Sequence, residues 1–489
     1  MEPKLYFSDV FEVDEETLED YGAFNISLVT DLPLFIDPFL LFNSENPEYQ
    51  QLHEKMIEYL RFLKRQSEKG RVTPGLLKAW YFFSEVKQNW LGFCGTGNSG
   101  RGLGRQFASS LDKNLTLIFK DFGDEKITRG SHLEKLCLIG AGVGRDMISD
   151  FTTNLIKDYL LNYTQDFASK YIDPKLTQPV AVNRACFDYT LQRWMPKKYV
   201  LPFYDNDYVI LTPRDILTKD DTWINHSDMV NNFAEIPEAI ENDVLRGQIN
   251  NYLYSRIPED RELTKDEYVR VVQATLSRFP ELMDYYIRKK ENDGDEAVAV
   301  SWAKVSKSQQ LYIRQFGQLV SLLAQRTGFY ECPSNTKDET REKIMFLKDV
   351  IENKGGHRIF YVGGEPIRKE EDLQILFRLV WHGTPSDVSR EVNDGRGQAD
   401  FKISRGAHDK SLVEFKLARN TQLKRNLARQ LEIYKKASDA QTGFKVILYF
   451  TEEELEKVEG ILRDLDMKAD PNIYLIDGRL ENKPSGSKA

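Results

Sequence analysis

Asp400, Glu414 and Lys416 stand in "GQADFKISRGAHDKSLVEFKLARN" (397–420), where residue type and spacing could do chemistry together. Residues 411–417 read as a strand. Side chains alternate along a strand, so Val413, Phe415 and Leu417 share one face and Glu414 and Lys416 the other. The preceding "QADFKIS" reads as a second strand, with Ala399, Phe401 and Ile403 on one side and Asp400 and Lys402 on the other. If the two strands pair as neighbours, Asp400, Glu414 and Lys416 converge on one face near a strand end. Two carboxylates a few ångströms apart repel unless a cation lies between them, and a hard, oxygen-ligated ion such as Mg²⁺ suits that place. A lysine beside them adds positive charge where negative charge develops on a phosphorus under attack. A bound metal also lowers the pKa of its water. This is the inventory for metal-assisted hydrolysis of a phosphodiester. A Glu and a Lys two apart on a strand are more commonly a solvated face, so the motif counts only in its structural context.

The elements that must position these residues are legible around them. "KEEDLQILFRLVW" has Leu373, Leu376, Phe377 and Val380 on one helical face. "DVSREV" is a short strand and "NDGRG" carries hairpin-turn chemistry. After the two strands already named come a helix in "TQLKRNLARQLEIYKKA", an apolar strand in "FKVILYF", a helix in "TEEELEKVEGILRDL" and a final short strand in "NIYLI". The order begins α-β-β-β-α-β, which predicts a three-layer α/β domain with a mixed central sheet.

The triad in "QAD…VEFK", with this element order over about 368–476, resembles the PD-(D/E)xK nuclease superfamily. The resemblance implies a restriction-endonuclease-like domain that hydrolyses DNA with Mg²⁺, for which Mn²⁺ can substitute. In that reading Asp400 and Glu414 are metal ligands, the Phe415 carbonyl is a further one, and Lys416 orients the attacking water. An acid of the first helix often completes such a site, and here Glu370 is the candidate, with Glu371 competing. Gln430 and Tyr434 form a Q-x-x-x-Y pair like the extra motif of exonuclease-like members. Ala399 stands where the name-giving proline would be, a departure many members share. Glu391 is either a rim acid or a surface charge. The segment with Arg419, Lys424, Arg425 and Arg429 leaves the active-site strand directly and is a candidate phosphate-positioning surface. Proteins of this build resemble restriction and anti-phage defence nucleases. The resemblance thus points to DNA as partner, with RNA left open, and to other defence subunits and a homo-oligomer. The rival reading is a non-catalytic nucleic-acid-binding or scaffold subunit whose metal has been lost; the intact triad argues against it.

At 489 residues the chain predicts two to three domains, drawn at 1–240 (an α+β region, a sensor or specificity module by analogy), 241–330 (a helical connection) and 331–480, with a disordered tail at 481–489. A net charge of −9 argues against a protein that coats nucleic acid but leaves room for a local basic groove, and it fits a nuclease held inactive until a partner or trigger engages it. The acidic start predicts no signal peptide and no apolar run reaches membrane-spanning length, so a cytoplasmic protein is expected. Cys94, Cys137, Cys186 and Cys332 are scattered like free thiols. Elsewhere, 47–70 predicts a helix, "LTLIFKDF" a strand, and "KYVLPFYDNDYVILTPRDIL" paired strands. Thr264 with Glu267 has capping-box spacing, Pro280 a helix break, and 288–296 reads as a linker or a turn between two helices. Gly95, Gly97 and Gly100 make a weak phosphate-loop pattern, and Asp146 with Asp150 is either a second acidic site or helix capping.

Overall fold

The computed structural model describes residues 3–483 except 71, 93–102, 118–121, 124, 139–144, 259–260, 327, 331–334, 385, 394–397, 407–408, 429–439, 441 and 482. A short strand β1 (Leu34–Ile36) is followed by the long helix α1 (Pro47–Glu68). Leu52, Met56, Leu60 and Leu63 of α1 are buried, as their spacing predicts, and Asn46 caps the helix by accepting from the Glu48 N–H. The strand expected at 115–122 is corrected: Leu115–Leu117 close a helix, Arg105–Leu117. Phe107, Ala108, Leu111 and Leu115 recur at helical period and are all buried, so the helical pattern begins upstream and runs into the apolar segment.

Helix α2 (Lys157–Tyr171) leads into an antiparallel hairpin of β2 (Thr177–Asp188) and β3 (Arg193–Tyr204). The "YDND" punctuation makes a tight turn, with Asp205 and Asn206 both at left-handed φ (46° and 64°). The strand pair there is short, Asp207–Tyr208 against the end of β3, because β3 pairs mainly with β2 upstream. Strand β4 (Leu217–Lys219) returns to pair with β1.

The middle is helical. Thr264 donates its N–H to Glu267 and accepts from the Glu267 N–H, forming the expected capping box. Pro280 separates Lys265–Arg278 from Leu282–Asn292. Residues 288–296 span the turn between two helices: only Asp293 lies between Leu282–Asn292 and helix α3 (Gly294–Ser308), which passes into a π-helical turn, Gln309–Gln315.

The last third is a mixed sheet with helices on both faces. Its elements are α4 (Thr336–Asn353), which the sequence reading did not anticipate, α5 (Glu370–Trp381), β5 (Asp387–Asn393), β6 (Gln398–Arg405), β7 (Asp409–Leu417), β8 (Thr442–Tyr449), α6 (Glu452–Asp464) and β9 (Ile473–Asp477). The strand order is β9-β8-β7-β6-β5, with β7 antiparallel to β6 and parallel to β8. Alternate residues of β8 enter different cores, which fixes the layers. Val446 and Leu448 join Ile344 and Leu347 of α4 and Leu373 and Phe377 of α5, whereas Ile447 and Tyr449 join Leu423, Leu427 and Val458 and Leu462 of α6. The larger core is continuous with the start of the chain, since it also contains Leu5 and Phe7. Among the described residues no helix is long and apolar enough to cross a membrane. Cys137 is buried and Cys186 half-buried, both as free thiols.

Candidate functional site

The β6–β7 register sets the site. The ladder ends at the pair Val413–Phe401, and Asp400 and Glu414 are the residues just beyond it on their two strands. Phe401 and Phe415 point into the large core, where Phe377 of α5 stacks on Phe415, so the intervening carboxylates point away from it. Asp400 accepts the Phe415 N–H at 2.7 Å and the Gln374 amide at 2.8 Å. The Lys416 ammonium lies 3.2 Å from Glu370, 3.5 Å from Glu414 and 3.7 Å from Asp400. Glu370 opens α5 and is held in turn by the Asn420 amide at 2.7 Å and the Leu417 N–H at 3.4 Å. Of the two competing acids, Glu370 is therefore the one that reaches the lysine. Asp400, Glu414 and Lys416 are only 8%, 4% and 8% exposed, which removes the solvated-face reading of the i, i+2 pair.

This burial makes the charges interdependent. Burial pushes the Glu414 carboxyl up to about 7, with Asp400 adding to the shift and Lys416 opposing it. Asp400 is raised for the same leading reason, and Lys416, the Phe415 N–H and Gln374 partly restore its charge. For Lys416 burial alone would favour the neutral amine, but Asp400, Glu414 and Glu370 together hold it as ammonium well above its ordinary value.

The donor set can be tested against a metal. Glu414 Oε2 is buried and accepts no hydrogen bond among the described residues, which leaves one oxygen of this carboxylate with an unused lone pair. Three carboxylates face one point, which is hard-donor chemistry suited to Mg²⁺ or Mn²⁺. In the arrangement seen, however, the Lys416 ammonium provides the cation between them. Among the described residues no set of three or more His, Cys, Asp or Glu side chains is already gathered in ligand geometry.

The remaining candidates separate. Phe415 contributes only backbone here, its ring being committed to the core. Arg419 is tied to Glu454 at 3.1 Å and lies over the Phe450 ring; Lys424 pairs with Asp464 at 2.6 Å; Arg425 reaches Gln422 at 3.5 Å. Arg419 and Lys424 are thus each paired with an acid, whereas Arg425 meets a neutral amide, which leaves its charge in place. Arg429, Gln430 and Tyr434 lie outside the described residues, as do Cys94, Cys332, the three glycines at 95, 97 and 100 and the side chain of Glu391. Asp146 opens the helix Arg145–Leu155, and Asp150, one turn on, is raised to about 8 by burial with Asp146 and Glu85 nearby.

Three site residues escaped the sequence reading. Gln374 had a signal, being i+4 from Glu370 on the same helical face. Lys445 had the signal of Lys416 itself, a charge inside an apolar strand; it lies opposite Glu414 and donates to the Leu427 carbonyl at 2.7 Å. Asn420 had none, because its role depends on how the chain turns after β7.

Residues 12–225 match a domain of unknown function, DUF8370, and residues 336–452 match a second, DUF8371. The second match encloses Glu370, Asp400, Glu414 and Lys416. No curated protein and no solved structure matches the chain.

Proposed function

We propose that the chain is a metal-dependent nuclease of the PD-(D/E)xK type, with a restriction-endonuclease-like C-terminal domain that hydrolyses phosphodiester bonds in DNA. The observation that carries this reading is the convergence of Asp400, Glu414, Lys416 and Glu370 on one buried point, with Glu414 Oε2 accepting no hydrogen bond among the described residues. Asp400 and Glu414, with the Phe415 carbonyl and Glu370, would hold Mg²⁺ or Mn²⁺. A metal bound there supplies Lewis-acid polarisation of the phosphoryl oxygen and a water acidic enough to attack at neutral pH.

The chain's own residues then have distinct tasks. Lys416 donates a hydrogen bond to the attacking water and offsets the charge that grows on the non-bridging oxygens. Gln374 and the Phe415 N–H fix the orientation of Asp400, and Asn420 does the same for Glu370. The fitting setting is restriction or anti-phage defence, with activity released by a partner, a trigger or self-association.

One observation favours a second reading. The cluster already holds a cation of its own, the Lys416 ammonium, among its three acids, as a non-catalytic scaffold that binds nucleic acid or other subunits would use. A cleavage assay separates the two. The purified chain is incubated with supercoiled plasmid, linear duplex, single-stranded DNA and RNA, each with Mg²⁺, Mn²⁺ or EDTA, beside Asp400→Ala and Lys416→Ala. Metal-dependent cutting lost in both variants supports the nuclease, and cutting of RNA alone moves the substrate. No cutting of any substrate, with or without a candidate partner, selects the scaffold.

A further inference from the structure

Helix α5 borders a second concavity on the side away from the carboxylate site. A cleft of about 400 Å³ is rimmed by Lys219, Lys304, Lys307, Arg368 and Lys369. Its apolar wall is Leu311, Val362, Pro366 and Ile367. The cleft also holds Asp220, Glu365 and Asp372, and each of these acids is already engaged: Asp220 with Lys369, Glu365 with Arg368 at 3.0 Å, Asp372 with Lys219 at 3.5 Å. The five cations therefore exceed the acids by two. The surplus resides in Lys304, whose ammonium donates to the Lys219 carbonyl at 3.5 Å, and in exposed Lys307, which makes no ion pair among the described residues. A local excess of positive charge in a chain of net −9 draws anions to that spot.

We propose that this cleft binds a phosphate ester of mononucleotide size, its phosphate on Lys304 and Lys307 and its base or sugar against Leu311, Val362 and Pro366. Three features argue together. The volume is in the range of small-ligand sites, roughly 300–1,000 Å³. The charge surplus matches a phosphate dianion, for which lysine serves as a point charge. The apolar wall gives the rest of a nucleotide a surface that a simple anion would not use. The ligand is either a free nucleotide or one nucleotide unit of a strand.

The position gives occupancy a route to the site. Asp372 faces the cleft through Lys219 and through the Tyr312 hydroxyl, which donates to it at 2.6 Å. Glu370 and Gln374, two residues to either side on the same helix, face the carboxylate site, as a helical rotation of about 200° over two residues requires. A phosphate on Lys304, whose ammonium donates to the Lys219 carbonyl, therefore acts next to the lysine paired with Asp372 and so on the helix that holds Glu370. This coupling rests on the nuclease reading; the binding does not.

The test uses the full chain with AMP, ATP and a short single-stranded DNA oligonucleotide as probes, followed by calorimetric titration and thermal shift. The variants are Lys304→Glu with Lys307→Glu, Lys304→Gln with Lys307→Gln, and Lys468→Glu as an exposed control. The expected result is saturable one-site binding of a nucleotide that weakens roughly tenfold or more in both double variants and is unchanged in the control. Binding of the oligonucleotide alone, with the same loss, assigns the site to a strand. No saturable binding, or equal binding by double variants that melt as the parent does, overturns the proposal. Binding in a chain that cuts nothing with any metal, with or without a candidate partner, keeps the cleft and sinks the nuclease reading instead.

Discussion

Replacing Lys416 by Met keeps most of the side-chain volume and removes the ammonium from among Glu370, Glu414 and Asp400. At separations of 3.2–3.7 Å each attraction is worth about 5 kcal/mol at an effective dielectric of about 20. The ammonium's own desolvation cancels several kcal/mol of that sum, and breaking a buried pair typically costs about 3–5 kcal/mol because an uncompensated charge remains. For a cooperative unit of 150–250 residues each kcal/mol shifts the midpoint by about 2–4 °C, so Lys416→Met should melt roughly 6–20 °C below the parent in EDTA. Mn²⁺ at a hundredfold excess over its dissociation constant adds about 2.7 kcal/mol to any state that binds it. With the ammonium gone the carboxylates attract a divalent ion more strongly, so Mn²⁺ should raise the variant's midpoint more than the parent's. Thermal unfolding of the full chain followed by circular dichroism, in EDTA and across a Mn²⁺ titration, reads both effects. A variant that melts within about 2 °C of the parent in EDTA refutes the electrostatic argument. A drop that Mn²⁺ does not relieve refutes the metal.

Further outcomes follow from residues around this point. Gln374→Ala and Asn420→Ala should each weaken Mn²⁺ affinity by about 10–100-fold, read by calorimetric titration, because each orients a carboxylate without offering one; unchanged affinity in both would remove their positioning role. Asp37 is fully buried and burial pushes it up to about 6, against N–H groups of Trp223 and Phe39 that favour its charge. Between pH about 4 and 6 the folded chain therefore holds on Asp37 a proton the unfolded chain has lost, so the contribution of Asp37 to stability should fall as pH rises through that window and then level off. Urea midpoints whose course over this range is unaltered in Asp37→Asn would contradict it. Gly356→Ala should destabilise by about 1–3 kcal/mol, since its Cβ would lie 2.8 Å from the Val350 carbonyl oxygen; a neutral urea midpoint would show that the turn after α4 can shift.

What could be read in advance was what local periodicity encodes. Alternation along β6 and β7 gave the faces of Phe401, Val413 and Phe415, and helical spacing gave the buried stripe of α5 and α1. The capping box at Thr264 and the break at Pro280 follow from bonds within a single turn, so they were equally visible. Asp400 and Glu414 came together because a hairpin makes long-range pairing almost local: the register of β6 on β7 carries over one short turn. The failures have the complementary cause. The short apolar run at Leu115 predicts a strand where the chain is helical, because such a run has the same composition in a buried strand and a buried helix. Helix α4 went unread although Ile344, Leu347 and Ile351 recur at helical spacing, and its partners, β6 through β9, lie far away in sequence.

Two contacts mark the limit more sharply. Arg419 and Lys424 looked like free cations in the segment after β7, but Glu454 and Asp464, which engage them, come from α6, beyond a strand and two connections. Lys219, conversely, gave no sign of a link to the site. Its bonds to Tyr312 and Asp372 span 93 and 153 residues and bring a β4 lysine, a π-helical tyrosine and the first turn of α5 together. A charge in an apolar strand announces that something must compensate it, as Lys416 and Lys445 both show; which residue does so is decided by packing across the whole chain. The strand residues therefore carry the chemistry in the sequence, whereas the groups that hold Glu370 and Asp400 in place become visible only once the chain has folded.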